Sequence, residues 1–278
     1  MNIQLIFAAF GGGILGAALG ALPAFIFTGF IGLIGISVIA AGGSATILND
    51  ITFGTLLGPH IAFAGGVAAT AFAANKRNHL ETGLDITAAL NKYGDPMILV
   101  IGGLFGIIGF ILNSVFVNMN IPTDTVALTV FTSGLIARIL FGEINIFRKF
   151  KNVNRKEKNI TLESSVILRD AIIGLGLGLV ISYLIILTEI TTLGFCISAA
   201  SLIFVQMGFE IPTTHHITMV AGYAAMATGN MFIGALAAVI ASLLGTLIGG
   251  TINIDSNTYI DPPATTIFIC SFLIFIIF

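Results

Sequence analysis

The sequence predicts an all-α polytopic membrane protein of about ten transmembrane helices, built as two inverted five-helix repeats with broken or re-entrant helices. Three observations carry this. Of the 278 residues, 56% are hydrophobic and only 9% are charged, whereas about a quarter of the residues of a soluble domain are charged. All eleven Lys and Arg residues fall between Lys76 and Arg169, and apolar stretches of spanning length recur on both sides of that window. The chain also repeats itself. His60-Ile61 followed by Gly66, Ala68 and Ala69 returns 156 residues later as His216-Ile217 followed by Gly222, Ala224 and Ala225. Asp124-x-x-Ala127-x-Thr129-x-Phe131 returns 137 residues later as Asp261-x-x-Ala264-x-Thr266-x-Phe268, and Ile14-Leu15-Gly16 aligns with Ile172-Ile173-Gly174. Gly and Ala match cheaply in so biased a chain, but His and Asp are rare here, so the paired His and Asp mark a duplication.

Polar breaks divide the first half into spans at about 3–22, 24–48, 58–75, 96–117 and 125–147. The second half divides at about 165–187, 190–208, 214–230, 231–250 and 263–278. The domains are therefore a first repeat over 1–147, a basic linker over 148–164 and a second repeat over 165–278. Five spans is an odd number, so the second repeat enters the membrane from the opposite side. Lys76, Arg77 and Lys92 follow the third span, and Arg148 to Lys158 follow the fifth. The positive-inside rule then places both loops in the cytoplasm and both termini outside. The N-terminus reads as a first span rather than a removable signal, since Met1-Asn2-Ile3-Gln4 carries no basic residue.

Several motifs are packing features. Gly12-x-x-x-Gly16-x-x-x-Gly20, Gly102-x-x-x-Gly106 and Gly245-x-x-x-Gly249 line helix faces with small residues, which lets backbones approach closely. Gly11-x-Gly13-x-x-Gly16 fits a dinucleotide fingerprint but follows no strand. Asn159-Ile160-Thr161 fits a glycosylation acceptor but lies in the loop assigned to the cytoplasm. Cys196 and Cys270 sit in apolar segments and read as packing residues. Arg138 and Glu143, near the end of the fifth span, read as snorkelling groups or a structural ion pair. A net charge of −2 without a basic face excludes nucleic acid as a partner.

Polar residues gather at matched breaks. Gly42-Gly43-Ser44 and Asn49-Asp50 interrupt the second span before Gly58-Pro59-His60 opens the third; the second half has Gln206 to Glu210 and then Ile211-Pro212-Thr213-Thr214-His215-His216. Non-helical backbone at membrane depth is tolerated only where protein buries it or water reaches it, so the breaks point to one site near the repeat interface. Candidate path residues are Asn49, Asp50, His60, Asp124, Gln206, Glu210, Thr213, Thr214, His215, His216 and Asp261. Asp124 and Asp261 also stand where N-caps stand, and a packed histidine bonded to a carbonyl is the bland reading of His60 and His216. Glu210, His215 and His216 are weaker candidates for a divalent metal; otherwise no metal, cofactor or catalytic group is expected.

At Leu57-Gly58-Pro59-His60-Ile61-Ala62-Phe63-Ala64-Gly65-Gly66 and Tyr259-Ile260-Asp261-Pro262-Pro263-Ala264 the chain resembles an uncharacterised family of bacterial permease-like integral membrane proteins. The resemblance implies the cytoplasmic membrane and brings no substrate. The five-plus-five plan is similar to that of urea channels, without their Asn-Pro motifs. The expectation is thus a non-enzymatic transporter or channel for a small polar or charged solute, with proton coupling favoured because His and Asp exchange protons near neutral pH. Its expected partners are the lipid bilayer, the solute or ion and further copies of the chain. The alternative is an intramembrane metal-dependent enzyme or a divalent-metal transporter.

Overall fold

The structure, a computed structural model, describes residues 2–142 and 163–278. Glu143 and the basic stretch Arg148–Lys158 lie outside the described residues. Eleven α-helices run in order: α1 (Ile3–Leu19), α2 (Ala21–Ala40), α3 (Ala64–Asn75), α4 (Pro96–Asn118), α5 (Thr125–Phe141), α6 (Ser164–Thr188), α7 (Leu193–Ser201), α8 (Ile203–Gln206), α9 (His215–Thr228), α10 (Met231–Gly249) and α11 (Pro262–Ile277). Among the described residues the regular structure is helical, apart from one isolated bridge between Gly83 and Thr258. Among the described residues four helices, α2, α4, α6 and α10, are long and apolar enough to cross a membrane. They indicate a membrane protein. Along α10, Phe232, Leu236 and Ile240 are each more than half exposed at four-residue spacing, an apolar outer face that lipid suits and water does not.

Helix ends follow local chemistry. Asp95, Asp124 and Asp261 each precede a helix and accept a hydrogen bond from a backbone N–H two or three residues on, using donors the helix itself cannot satisfy. Glycine then sets the packing. Gly13 of α1 lies against Gly102 and Gly106 of α4, and Gly174 and Gly178 of α6 lie against Ala235, Ala238 and Val239 of α10; a side chain at any of the glycines would strike its neighbour. These two pairs, α1–α4 and α6–α10, form the most extensive interfaces in the molecule.

The second span departs from expectation. It stops at Ala40 rather than running to about 48, because the chain turns at Ala41 and Gly42, the latter at φ +81°. A π-helical turn follows at Ile47–Thr52, and a second, Pro59–Phe63, runs into α3. In the second half α7 ends at Ser201, α8 lasts one turn, and the chain is non-helical from Gly208 (φ +88°) to Thr214. Hydroxyls satisfy part of the freed backbone: Thr28 donates to the Leu57 carbonyl at 2.8 Å, and Thr52 to that of Ile47 at 2.9 Å.

The polar stretch between α3 and α4 is no free loop. Leu90 is buried, the Ile86 carbonyl accepts from the Leu22 N–H at 2.9 Å, and Gly83 N–H donates to the Asn257 carbonyl at 3.1 Å. Asn75 and Asn257 exchange a further pair of bonds, each 3.1 Å. The stretch is a strap tying the first half to the segment before α11.

Candidate functional site

Among the described residues the helices leave a partly open cavity of about 290 Å³ lined from both halves. Its floor and walls are apolar and aromatic, with Phe25, Phe53, Phe63 and Phe195 among them; Ile86 of the strap also reaches it. Phe25 packs edge-on against Phe63 and Phe195 with ring centres 5.6 and 5.4 Å apart.

Two carboxylates face this space, one at the start of α5 and one at the start of α11. Asp124 accepts the Ala127 N–H on Oδ1 at 2.9 Å and the Tyr223 phenol on Oδ2 at 2.7 Å. Asp261 accepts the Ala264 N–H on Oδ2 at 2.7 Å and the Tyr259 phenol on Oδ1 at 3.2 Å. Both are therefore caps and cavity walls at once. The phenols reach them by different routes: Tyr223 comes across from α9, Tyr259 from two residues upstream. Among the described residues no Lys or Arg forms an ion pair with either carboxylate.

The segment before α11 is held from outside the cavity. Arg138 of α5 donates from Nε to Thr258 Oγ1 (3.0 Å), from Nη1 to the Ile252 carbonyl (2.8 Å), and from Nη2 to Asn253 Oδ1 (2.7 Å) and the Thr258 carbonyl (2.8 Å). The Asn253 side chain in turn bonds both backbone groups of Ile260 at 2.9 Å. Arg138 is thus a clamp on this segment, and the Glu143 half of the expected ion pair lies outside the described residues.

The structure brings only some of the sequence candidates together. Thr213 and His215 line the cavity with Asp124 and Asp261. His215 is 6% exposed, stacks at a tilt 4.7 Å from Phe25, and its Nδ1 has no hydrogen-bond partner. Thr214 is buried beside it and donates to Ser198 at 3.1 Å. His60 and His216 are buried but absent from the lining; the His60 backbone carbonyl abuts Gly109 of α4, the His216 ring abuts Gly245 of α10, and both Nδ1 atoms are also unpartnered, so the carbonyl-bonded reading does not describe that nitrogen. Asn49 and Asp50 sit exposed on the first π-helical turn, and Gln206 and Glu210 are exposed beyond α7. The metal set fails on this geometry: Glu210 is exposed while both histidines are buried, and among the described residues no group of three His, Cys, Asp or Glu side chains could hold a metal. Tyr223 and Tyr259 were not singled out by the sequence reading, although Tyr259 stands two places before a selected Asp.

Residues 1–152 and 166–278 match the family of unknown function DUF7973. The chain belongs to this family. The match breaks within the basic stretch between the halves, and the family's description names no activity, so the permease character expected from the resemblance has no support in it. No curated protein and no solved structure matches the chain.

Proposed function

We propose that the protein is a transporter or channel of the bacterial cytoplasmic membrane, moving a small polar or charged solute between two inverted repeats of five spans each. The observation that carries this is the cavity shared by both halves, entered by two phenol-bonded carboxylates at the openings of α5 and α11. Polar groups of that kind, convergent on a mostly apolar chamber at the meeting point of two halves, are what a solute site needs. Proton coupling belongs to the same reading, because each carboxylate already shares a phenolic proton.

Seven of the ten proposed spans are supported by length, the four long helices and three shorter ones. α1 and α5 have 17 residues and α11 has 16, or about 25 Å of helix at 1.5 Å per residue, close to the thickness of a hydrocarbon core. The inversion is supported by two helix pairs that join the halves. α5 and α11 run antiparallel: the start of α5 bonds Ser271 and Phe268 deep in α11, while Gly134 lies against Tyr259 and Ile260 before it. Phe131 and Phe268, equivalent in the duplication, meet with ring centres 5.1 Å apart. α2 and α7 are likewise antiparallel, Gly29 facing Ala199–Ala200 and Gly32 facing Cys196. Equivalent helices meet antiparallel across a two-fold axis in the membrane plane, and parallel across one along its normal.

Reconstitution tests the proposal. Proteoliposomes shrunk by an osmotic gradient should reswell faster than empty vesicles for at least one small cation, anion or neutral solute, and Val130→Trp, which fills the cavity, should remove that difference. Equal reswelling with and without folded protein across all three classes would overturn it.

A further inference from the structure

We infer that the cavity takes a protonated primary amine carried on a compact apolar body; as the identity of a transported solute this rests on the transport reading, while as a statement about binding it stands alone. Charge is the first argument. Asp124 and Asp261 face one space and no Lys or Arg among the described residues pairs with them. The N-termini of α5 and α11 offset about half a charge each, which leaves about one net negative charge facing the cavity. An anion is repelled by it. A neutral solute leaves it uncompensated in apolar surroundings, which is costly.

Hydrogen-bonding capacity is the second argument. An ionised carboxylate has about four lone-pair sites, and each of these two accepts one backbone N–H and one phenol. About two acceptor sites remain on Asp261 and about one on Asp124, to which the Val126 N–H also donates. His215 lines the same cavity, but its unpartnered Nδ1 is sealed from it, so the carboxylates supply the free acceptors. A site rich in unused acceptors calls for a ligand rich in N–H donors. A primary ammonium has three, a tetraalkylammonium none.

The walls give the rest of the ligand. Phe25, Phe53, Phe63 and Phe195 present rings to a cation, but they are no substitute for the six or more oxygens that a hard divalent ion demands. At about 290 Å³ the space is far larger than a bare ion and near the lower end of small-molecule pockets, about 300 Å³.

Binding by the purified full-length protein in detergent tests this with three probes that share one body: 2-phenylethylammonium, 2-phenylethanol and phenylacetate, followed by calorimetry and thermal shift. The ammonium should bind at least about tenfold more tightly than the alcohol, the size of one charge-assisted hydrogen bond, and phenylacetate should bind weakest. Asp124→Asn and Asp261→Asn keep a capping oxygen, and each should weaken the ammonium about tenfold. Equal binding of the three probes, or preference for phenylacetate, would overturn the inference whether or not the variants fold. Ammonium binding without ammonium flux in proteoliposomes would leave the site intact and sink transport. Flux of other solutes with no ammonium binding would do the reverse.

Discussion

Asp124 uses one carboxylate oxygen to hold the first turn of α5 and the other to hold the Tyr223 hydroxyl of α9. The two duties can be separated by substitution. Asp124→Asn retains a capping acceptor and should leave thermal stability nearly unchanged, whereas Asp124→Ala removes the cap and should cost about 0.5 to 2 kcal/mol in a denaturation experiment. If the transport reading holds, both should lose flux, because both remove the charge. Flux at the original rate in Asp124→Asn would reduce the carboxylate to a cap. The repeat made Asp124 and Asp261 legible in the sequence, since Asp is scarce and both stand at the same place in the duplicated motif. His60 and His216 recur as faithfully, yet they are buried beside glycines of α4 and α10 and do not line this cavity. A repeat reports common position, and position in a bundle serves packing as readily as chemistry. The phenols of Tyr223 and Tyr259 gave no comparable signal, because a tyrosine in an apolar segment looks like any other large side chain until its partner is brought to it.

The segment between α10 and α11 owes its form to Arg138. Four hydrogen bonds from one guanidinium fix Ile252, Asn253 and Thr258, and Asn253 passes the constraint to Ile260, the neighbour of Asp261. Arg138→Met keeps the apolar stem and removes every donor. It should destabilise the protein by on the order of 2 kcal/mol, allowing for the half-buried setting, and hydrogen exchange should rise across 252–261 before it rises in α6. Lysine should restore little of this, since a single ammonium cannot reproduce the planar fork. Helix boundaries were mostly legible from polar breaks: the expected span at 96–117 is Pro96–Asn118, opened by the Asp95 cap that its sequence announces. The early end of α2 was harder to read. Gly42 and Gly43 mark the turn, but Ile47 and Leu48 beyond it are apolar and prolong the hydropathy of a helix that has already stopped. A polar composition makes the strap look like a plain loop; Ile86 and Leu90 are too few to register, yet they are residues that enter the bundle.

At the scale of the molecule, the distribution of basic residues predicts an orientation for the chain. Cys196 and Cys270 are buried, so introduced thiols report cleanly. Asn2→Cys should react with an impermeant maleimide in intact cells, while Glu81→Cys, exposed on the strap, should react only after the cells are opened. The opposite pattern would turn the protein over and exchange the inner and outer ends of the proposed path.

The strap also carries information about order in time. Its Gly83–Asn257 tie and the reciprocal Asn75–Asn257 bonds join residues 174 and 182 positions apart, and closing so long a loop has to wait until Asn257 has arrived. Until Asn257 is made, the 76–95 stretch keeps its ties to Leu22 and to the core around Leu90 but lacks its second anchor. The seam between the strap and the segment before α11 should therefore close late. A chain halted after residue 142 should show protease cleavage near Glu81 that the complete protein resists, which makes susceptibility at that site a clock for the completion of folding.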